Sequence, residues 1–423
     1  MSLDLKPYKG TRDIYPEDMR LRRYIFDTWR SAVEACGYEA YDAAILEPLE
    51  LYAAKTGEEI VSQQTYTFTD RGDRQVAIRP EMTPSIARMV AARRQELAYP
   101  ARLYSIANFM RYEKPQRGRE REFWQLNADI FGAESIEADV EIIALAAAIL
   151  ERFGARPNMY TIKINDRRLI DFIMSQYLSL DAASALKLIK LLDKKSKIPP
   201  ADFEAAVAEI VGNDNLSKVQ DLLKVESVSK LPKAVLNSGK SDDIKSVCNK
   251  LAALGVAAEF DISLMRGFDY YTGIVFEVFD NNPDNNRSMF GGGRYDGLVG
   301  LFGVEDLPVV GFAPGETTTI EFLKAWDLLP DLAPATDLVL VQLVDGAEQV
   351  AAELRQAGLN VAVDFTGRKL DKVIKSVDKN NLKWILFVGD DELKSGVFKL
   401  KNLRTGKEFT AEISQIAEIV LES

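Results

Sequence analysis

Between Phe109 and Gly132 the chain reads FMRYEKPQRGREREFWQLNADIFG, and this stretch limits the possible folds more than any other. Two apolar, strand-like flanks enclose a short polar loop punctuated by Pro115 and Gly118, the composition of a β-hairpin. Five cations, Arg111, Lys114, Arg117, Arg119 and Arg121, crowd that loop. Arginine's planar, forked donors grip phosphate and carboxylate groups. A solvated basic loop is the bland alternative. Against it, Phe123 offers a ring that can lie on a purine, and Gln125 and Asp129 follow at alternate positions of a strand.

The anion site stands against an acidic background, because the 423 residues carry a formal net charge of −11. A nucleic-acid partner would therefore have to use local basic patches. The length suits two or three domains, and the apolar fraction of 47% is that of a soluble globular chain. No apolar run reaches the length of a membrane span, and MSLDLKPYKGTRDIYPEDM has no apolar signal segment. Cys36 and Cys248 are far apart and lack metal-ligand neighbours, which points to a reducing compartment, by default the cytoplasm. Histidine is absent altogether. Imidazole acid–base catalysis and most zinc arrangements are thereby excluded, so chemistry must rest on positioning, fixed charge or the substrate's own groups.

Along the chain, Pro16–Cys36 has helical periodicity, and an extended segment Ala40–Leu46 closes at Pro48. Tyr66–Thr69 and Gln75–Arg79 read as a hairpin, followed by a helix near Pro84–Arg94 and a strand Arg102–Asn108. Ile136–Phe153 is an Ala-rich helix. From about Arg167 to Lys250 the pattern is helical and lysine-rich, broken by Pro199, Pro200 and Gly212, and reads as an insertion. Antiparallel strand signals resume at Ala257–Ser263 and Tyr270–Phe279. After the linker Pro330–Pro334, strands and helices alternate, which predicts a small α/β domain with a mostly parallel sheet.

Four further segments carry candidate chemistry. In RPEMT, Arg79–Thr83, the residues Glu81 and Thr83 fall on one strand face and suit an ammonium group, although taken alone a solvent-facing strand end is the better explanation. LMRGFDYYTG, Leu264–Gly273, combines Arg266 and Gly267 with Tyr270 and Tyr271 on opposite strand faces; a packed aromatic strand is the even alternative. Gly291–Gly293 with Arg294, Tyr295 and Asp296 reads as a glycine-rich turn open to a ligand, without the lysine and hydroxyl of a phosphate loop. Lys369, Lys372, Lys375 and Lys379, extended by Arg368, form a basic helix face, as many solvated helices do.

Taken together, KGTRDIYPEDM, RPEMT, FMRYEKPQRGRERE with its following glutamine, RGFDYYTGIVFE and GGGRYDGLV resemble, in order and spacing, the histidyl-tRNA synthetases. The resemblance covers nearly the whole chain. It implies an α+β catalytic domain over residues 1–330, an antiparallel sheet flanked by helices of the class II synthetase type, with the helical insertion at about 167–250. An α/β anticodon-binding domain is implied over 335–423. The implied reaction activates L-histidine with ATP to histidyl-adenylate and transfers it to the 3′ end of tRNA(His), with Mg²⁺ accompanying ATP and no protein metal ligand assigned. A homodimer is implied, with Pro48 at its interface.

The resemblance also assigns roles. Glu81, Met82, Thr83, Gln125, Asp129, Tyr270 and Tyr271 would bind histidine. Arg111 and Arg266 would be catalytic and also touch the amino acid, Arg111 bridging its carboxylate and the α-phosphate. Glu113, Arg119, Arg121 and Phe123 would join Arg111 at ATP, and Gln116, Arg117, Arg368, Lys369 and Lys372 would bind tRNA. Four positions depart from the family pattern. Trp124 replaces a histidine, and Asp129 stands where glutamate is common. In VVGFAPGETTTIEFL, Thr317 and Thr318 occupy the place of a glutamate–arginine pair that clamps ATP, so one of Arg119, Arg121 or Arg294 is expected to substitute. The altered third motif keeps an alternative open, a non-catalytic histidine-binding regulatory subunit of ATP phosphoribosyltransferase.

Overall fold

The computed structural model describes residues 4–53, 64–193, 195, 198–264, 271–285 and 287–422. Arg266 and Tyr270 lie outside these residues. The chain forms two compact units, Met1–Asp13 with Arg22–Leu329, and Pro330–Ser423 with Ile14–Leu21.

In the first unit the strands are β1 (Glu39–Ala40), β2 (Leu46–Pro48), β3 (Tyr66–Thr69), β4 (Gln75–Ile78), β5 (Ala101–Met110), β6 (Glu122–Phe131), β7 (Tyr160–Asp166), β8 (Ala258–Phe260), β9 (Ile274–Asp280), β10 (Ser288–Arg294) and β11 (Val309–Phe312). Eight of them form one sheet in the order β1-β5-β6-β11-β10-β9-β7-β8, and β2-β4-β3 form a small antiparallel sheet. Pairing in the large sheet is antiparallel from β5 across to β7. The edge strands β1 and β8 pair parallel, which corrects the antiparallel expectation for Ala257–Ser263. A helical crossover separates β7 from β8, and a crossover of that length returns the chain in the same direction.

The crossover holds the helices Arg167–Phe172, Ala182–Asp193, Pro200–Leu222, Lys233–Leu236 and Asp242–Ala253. Gly212, at φ 73° and ψ 168°, interrupts the longest of them, as its sequence position suggested. Facing the sheet is Glu137–Arg152, which buries Ile142, Leu145, Ala146 and Ile149. The helix Pro16–Ala35 buries Ile25, Trp29 and Val33.

Two expected local structures differ. Glu81 lies in a loop and Thr83 opens the helix Thr83–Ala92, so they do not share a strand face; Pro84 in the first turn starts a helix there. Gly291–Gly293 are strand residues paired to β9 and β11, not a turn.

The second unit holds β12 (Leu338–Gln342), β13 (Val361–Asp364), β14 (Trp384–Val388), β15 (Phe398–Asn402) and β16 (Glu408–Ala411), ordered β13-β12-β14-β15-β16. The first three pair parallel, as expected, and β15 and β16 add an antiparallel edge. Period-two alternation splits the core: Leu338 and Leu340 face the helices Ala347–Gln356 and Ile413–Leu421, while Val339 and Val341 face Val373 and Val377 of the helix Leu370–Lys379.

Candidate active site

Strand β6 is the floor of a cavity of about 1500 Å³ in the first unit. Its residues Phe123, Gln125, Asn127 and Asp129 alternate onto the cavity side, while Leu126, Ala128 and Ile130 are buried on the opposite face. Glu81, Thr83, Arg111, Glu113, Gln116, Arg117, Arg119 and Tyr271 line the same cavity. Met82 does not: it is fully buried among Ala107, Phe109 and the partly buried Phe123.

Among the carboxylates that line the cavity, Asp129 is strongly perturbed. Burial pushes its carboxyl up to about 7, opposed by the hydrogen bond donated by the Tyr295 hydroxyl. The position is built for it, because a Cβ on the facing Gly311 would stand 1.9 Å from Asp129 Oδ1. Gly293 plays the same part for Tyr271, whose ring would meet a Cβ there at 2.9 Å. In the sequence neither Tyr295 nor the two glycines stands out as a contact of these side chains. The alternation of FGGGRYDG and VVGF, glycine opposite a functional residue, was the available signal.

The arginines of the hairpin divide by what surrounds them. Arg111 donates from Nε to the Pro80 carbonyl at 2.9 Å, and its guanidinium lies 5.3 Å from the centre of the Phe123 ring. Arg119 reaches Glu113 at 2.9 Å with its side chain 59% exposed at the cavity. Arg117 pairs with Glu321 at 2.5 Å, and its carbonyl accepts from Arg287 at 2.9 Å. Arg121 instead turns away from the cavity lining. It donates to the Glu113 carbonyl at 3.1 Å and to the Tyr8 hydroxyl at 3.1 Å, and lies 4.0 Å from the Tyr112 ring centre. Arg294 is sealed as well: Asp139 pairs with it at 2.5 Å, and the Ala133 and Ser135 carbonyls accept its remaining donors. Of the three candidates for the absent third-motif arginine, only Arg119 lines the cavity.

The helix Glu316–Ala325 begins at that motif. Thr317 and Thr318 line the cavity, and Glu316 behind them is buried and held by Arg22 at 2.8 and 2.9 Å. Arg22 also lies 5.4 Å from the centre of the Trp124 ring, which packs on Phe26 at 5.3 Å. Trp124 is thus a wall of the cavity, clamped by an aromatic ring and a cation. Phe260, Lys163 and Asp261 line a further part, with Lys163 paired to Asp261 at 2.8 Å; no motif in the sequence marks these residues.

Chemically, the cavity places guanidinium groups, an aromatic platform and buried carboxylates around one volume, which suits an anionic nucleotide beside a small cationic molecule. The titration of Asp129 gives a test that needs no ligand. Its folded value lies above its ordinary one, so folding takes up a proton between about pH 4 and 7, and stability falls as pH rises through that window. The slope approaches about 1.4 kcal/mol per pH unit. Asp129→Asn removes it, so the melting temperature of the variant relative to the parent rises between pH 5 and pH 8; equal differences at both values would show that Asp129 ionises normally.

The histidyl-tRNA synthetase family model matches residues 10–315, and an anticodon-binding-domain model matches residues 335–423. A histidine–tRNA ligase from Leptospira biflexa is 42% identical over 99% of this chain and 98% of its own length. The crystal structure of histidyl-tRNA synthetase from Nostoc sp. PCC 7120 superposes with a TM-score of 0.85 at 25% identity, covering 100% of both chains. A Bacillus halodurans structure titled as an ATP phosphoribosyltransferase regulatory subunit/histidyl-tRNA synthetase shares the fold, with a TM-score of 0.73 at 22% identity over 89% of this chain and 97% of its own. This chain belongs to the histidyl-tRNA synthetase family.

Proposed function

We propose that the chain is a histidine–tRNA ligase, activating L-histidine with ATP and passing it to the 3′ end of tRNA(His). The observation that carries this is the β6 face, where Phe123, Gln125 and Asp129 share one cavity with Arg111. Glu81, Thr83, Gln125, Asp129 and Tyr271 are the side chains to hold histidine, and Phe123 the platform for adenine. In the first step the histidine carboxylate attacks the α-phosphorus and pyrophosphate leaves. Charge grows on phosphate oxygens, and fixed guanidinium groups already in place stabilise it without reorganisation. In the second step the terminal ribose hydroxyl attacks the adenylate carbonyl and AMP departs, with a phosphate oxygen able to take the proton. Neither step calls for an imidazole on the protein.

Glu113 and Glu277 place carboxylates in the same cavity, the donor type that Mg²⁺ accepts alongside substrate phosphates. When bound, that ion neutralises phosphate charge. Arg117 and Gln116 at the hairpin tip, and Arg368, Lys369 and Lys372 in the second unit, are the proposed tRNA contacts. The cytoplasm suits this work; among the described residues no helix is long and apolar enough to cross a membrane.

The regulatory-subunit reading draws on Thr317 and Thr318 in place of the expected glutamate–arginine pair. Against it stand the anticodon-binding match over 335–423 and the full-length likeness to a ligase. Histidine-dependent exchange of labelled pyrophosphate into ATP, followed by charging of tRNA(His), separates the two; binding of histidine without exchange would overturn the ligase reading.

Arg119 is the proposed stand-in for the missing clamp. Arg119→Ala is expected to raise the KM for ATP about ten-fold, or roughly 1.4 kcal/mol. Arg294→Ala acts through the fold instead, costing about 3–5 kcal/mol in denaturant unfolding because Asp139 is left buried and unpaired. An unchanged ATP KM in the first variant would refute the assignment.

A homodimer is proposed on the small sheet near Pro48, where Ile45, Leu46 and Phe68 are 50%, 42% and 47% exposed. Sedimentation equilibrium should give a two-chain mass for the parent and a one-chain mass for Leu46→Glu. A one-chain parent would rule the dimer out.

A further inference from the structure

Neither proposed step uses Tyr295, although its hydroxyl reaches the cavity floor and donates to Asp129 Oδ1. The phenol has little freedom to move. Its amide donates to the Val309 carbonyl at 2.8 Å, and the Val309 amide donates to Asp296 Oδ1 at 2.8 Å, so the backbone is pinned on both sides of Val309. Asp296 in turn donates its amide to the Thr272 hydroxyl at 3.0 Å, which ties the segment to the residue after Tyr271. The ring itself is buried against Ile86, Phe131, Leu298 and Val309. On its other side the Asp129 carboxyl is hemmed by Gly311, where a Cβ would stand 1.9 Å from Oδ1. Oδ1 is therefore enclosed by a fixed hydroxyl and a bare backbone, and Oδ2 is the oxygen that remains to meet a ligand.

The charges nearby sharpen the point. The strands beside β6 set Leu103 and Gly311 directly opposite Asp129, and neither can titrate. Flanking β1, the phenols of Tyr38 and Tyr41 both feel the Asp129 charge, which helps to hold their own protons on. Glu81, Arg111 and Tyr271 share the cavity. Among the described residues no cation offsets the burial of Asp129, and the Tyr295 hydrogen bond is what favours its charged form. A hydrogen bond to a charged, buried acceptor is among the stronger kinds.

We propose that Tyr295 is a positioning residue for the amino acid: by engaging Oδ1 it fixes the Asp129 carboxylate with Oδ2 turned to the imidazole. The pocket then offers one acceptor to a ring that carries one N–H in its neutral form. This rests on the ligase reading above and adds a residue that acts on histidine only through Asp129.

The tests use the full chain. Tyr295→Phe keeps the packed ring and removes the donor. In pyrophosphate exchange it is expected to raise the KM for histidine about ten-fold, with kcat and the KM for ATP within about two-fold of the parent. The acid limb of kcat/KM for histidine should move up by about one pH unit, because the lost bond favoured the carboxylate. In the ligand-free protein, the fall of melting temperature with rising pH should run about one pH unit further, and Asp129→Asn should abolish that difference. A parental histidine KM would overturn the proposal, as would equal rises in the KM for both substrates. So would a melting difference that persists in the Asp129→Asn background, since Tyr295 would then act elsewhere. A parent that performs no exchange would refute the ligase reading alone; the ligand-free melting profile then decides for or against the coupling of Tyr295 to Asp129.

Discussion

The strand β6 is a single run of ten residues with two incompatible duties, and the rest of the first unit is arranged to let it perform both. One side is the apolar seam packed beneath the helices; the other is the polar floor of the cavity. Because successive side chains point to opposite faces, slipping the register by one residue would drive Gln125 and Asp129 into the core and Leu126 and Ala128 into the cavity. The ten-residue pairing with β5 on one side and the β11 pairing on the other hold that register. Pairing energy thus sets where the chemistry happens.

Within the hairpin, sequence proximity is a poor guide to availability. Five cations share a few residues of chain, yet the ones with protein carbonyls, tyrosine rings or a buried carboxylate to satisfy them are no longer free for a ligand. Arg121 is consumed in this way, as is Arg294 outside the hairpin on β10, while Arg119 is half in solvent and Arg111 is supported from behind by a backbone carbonyl. A guanidinium has five donors in a rigid fork, so the number already bonded decides whether it braces the fold or meets a substrate.

Much of this was legible from the chain. Alternation and turn residues located the hairpin, the helical insertion and the parallel strands of the second unit, because those patterns follow directly from local geometry. Gln125 and Asp129 were visible for the same reason. Tyr295 and Gly311 were not identified as partners of Asp129, since their meeting depends on how β10, β11 and β6 are laid side by side, and strand order is not written in any one strand. The glycines at Gly291–Gly293 looked like a turn because flexibility is the usual reason for such a run. Here clearance is the reason at Gly293, a property of the neighbour opposite. The choice between Arg119, Arg121 and Arg294 was equally hidden, for each answer lies in residues as distant as Tyr8 and Asp139.

The leading residues of the chain belong to the hairpin as much as its own strands do. Arg121 donates its amide to the Gly10 carbonyl at 2.8 Å, its guanidinium reaches Tyr8 and Lys9, and Arg12 joins Glu120 at 3.1 Å. A side chain at Gly10 would collide with the Arg121 stem at 2.7 Å, so the approach is as near as two backbones with a long side chain between them permit. The segment Tyr8–Arg12 therefore works as a clasp behind the hairpin wall of the cavity. A substitution close to Tyr8 acts on that wall directly.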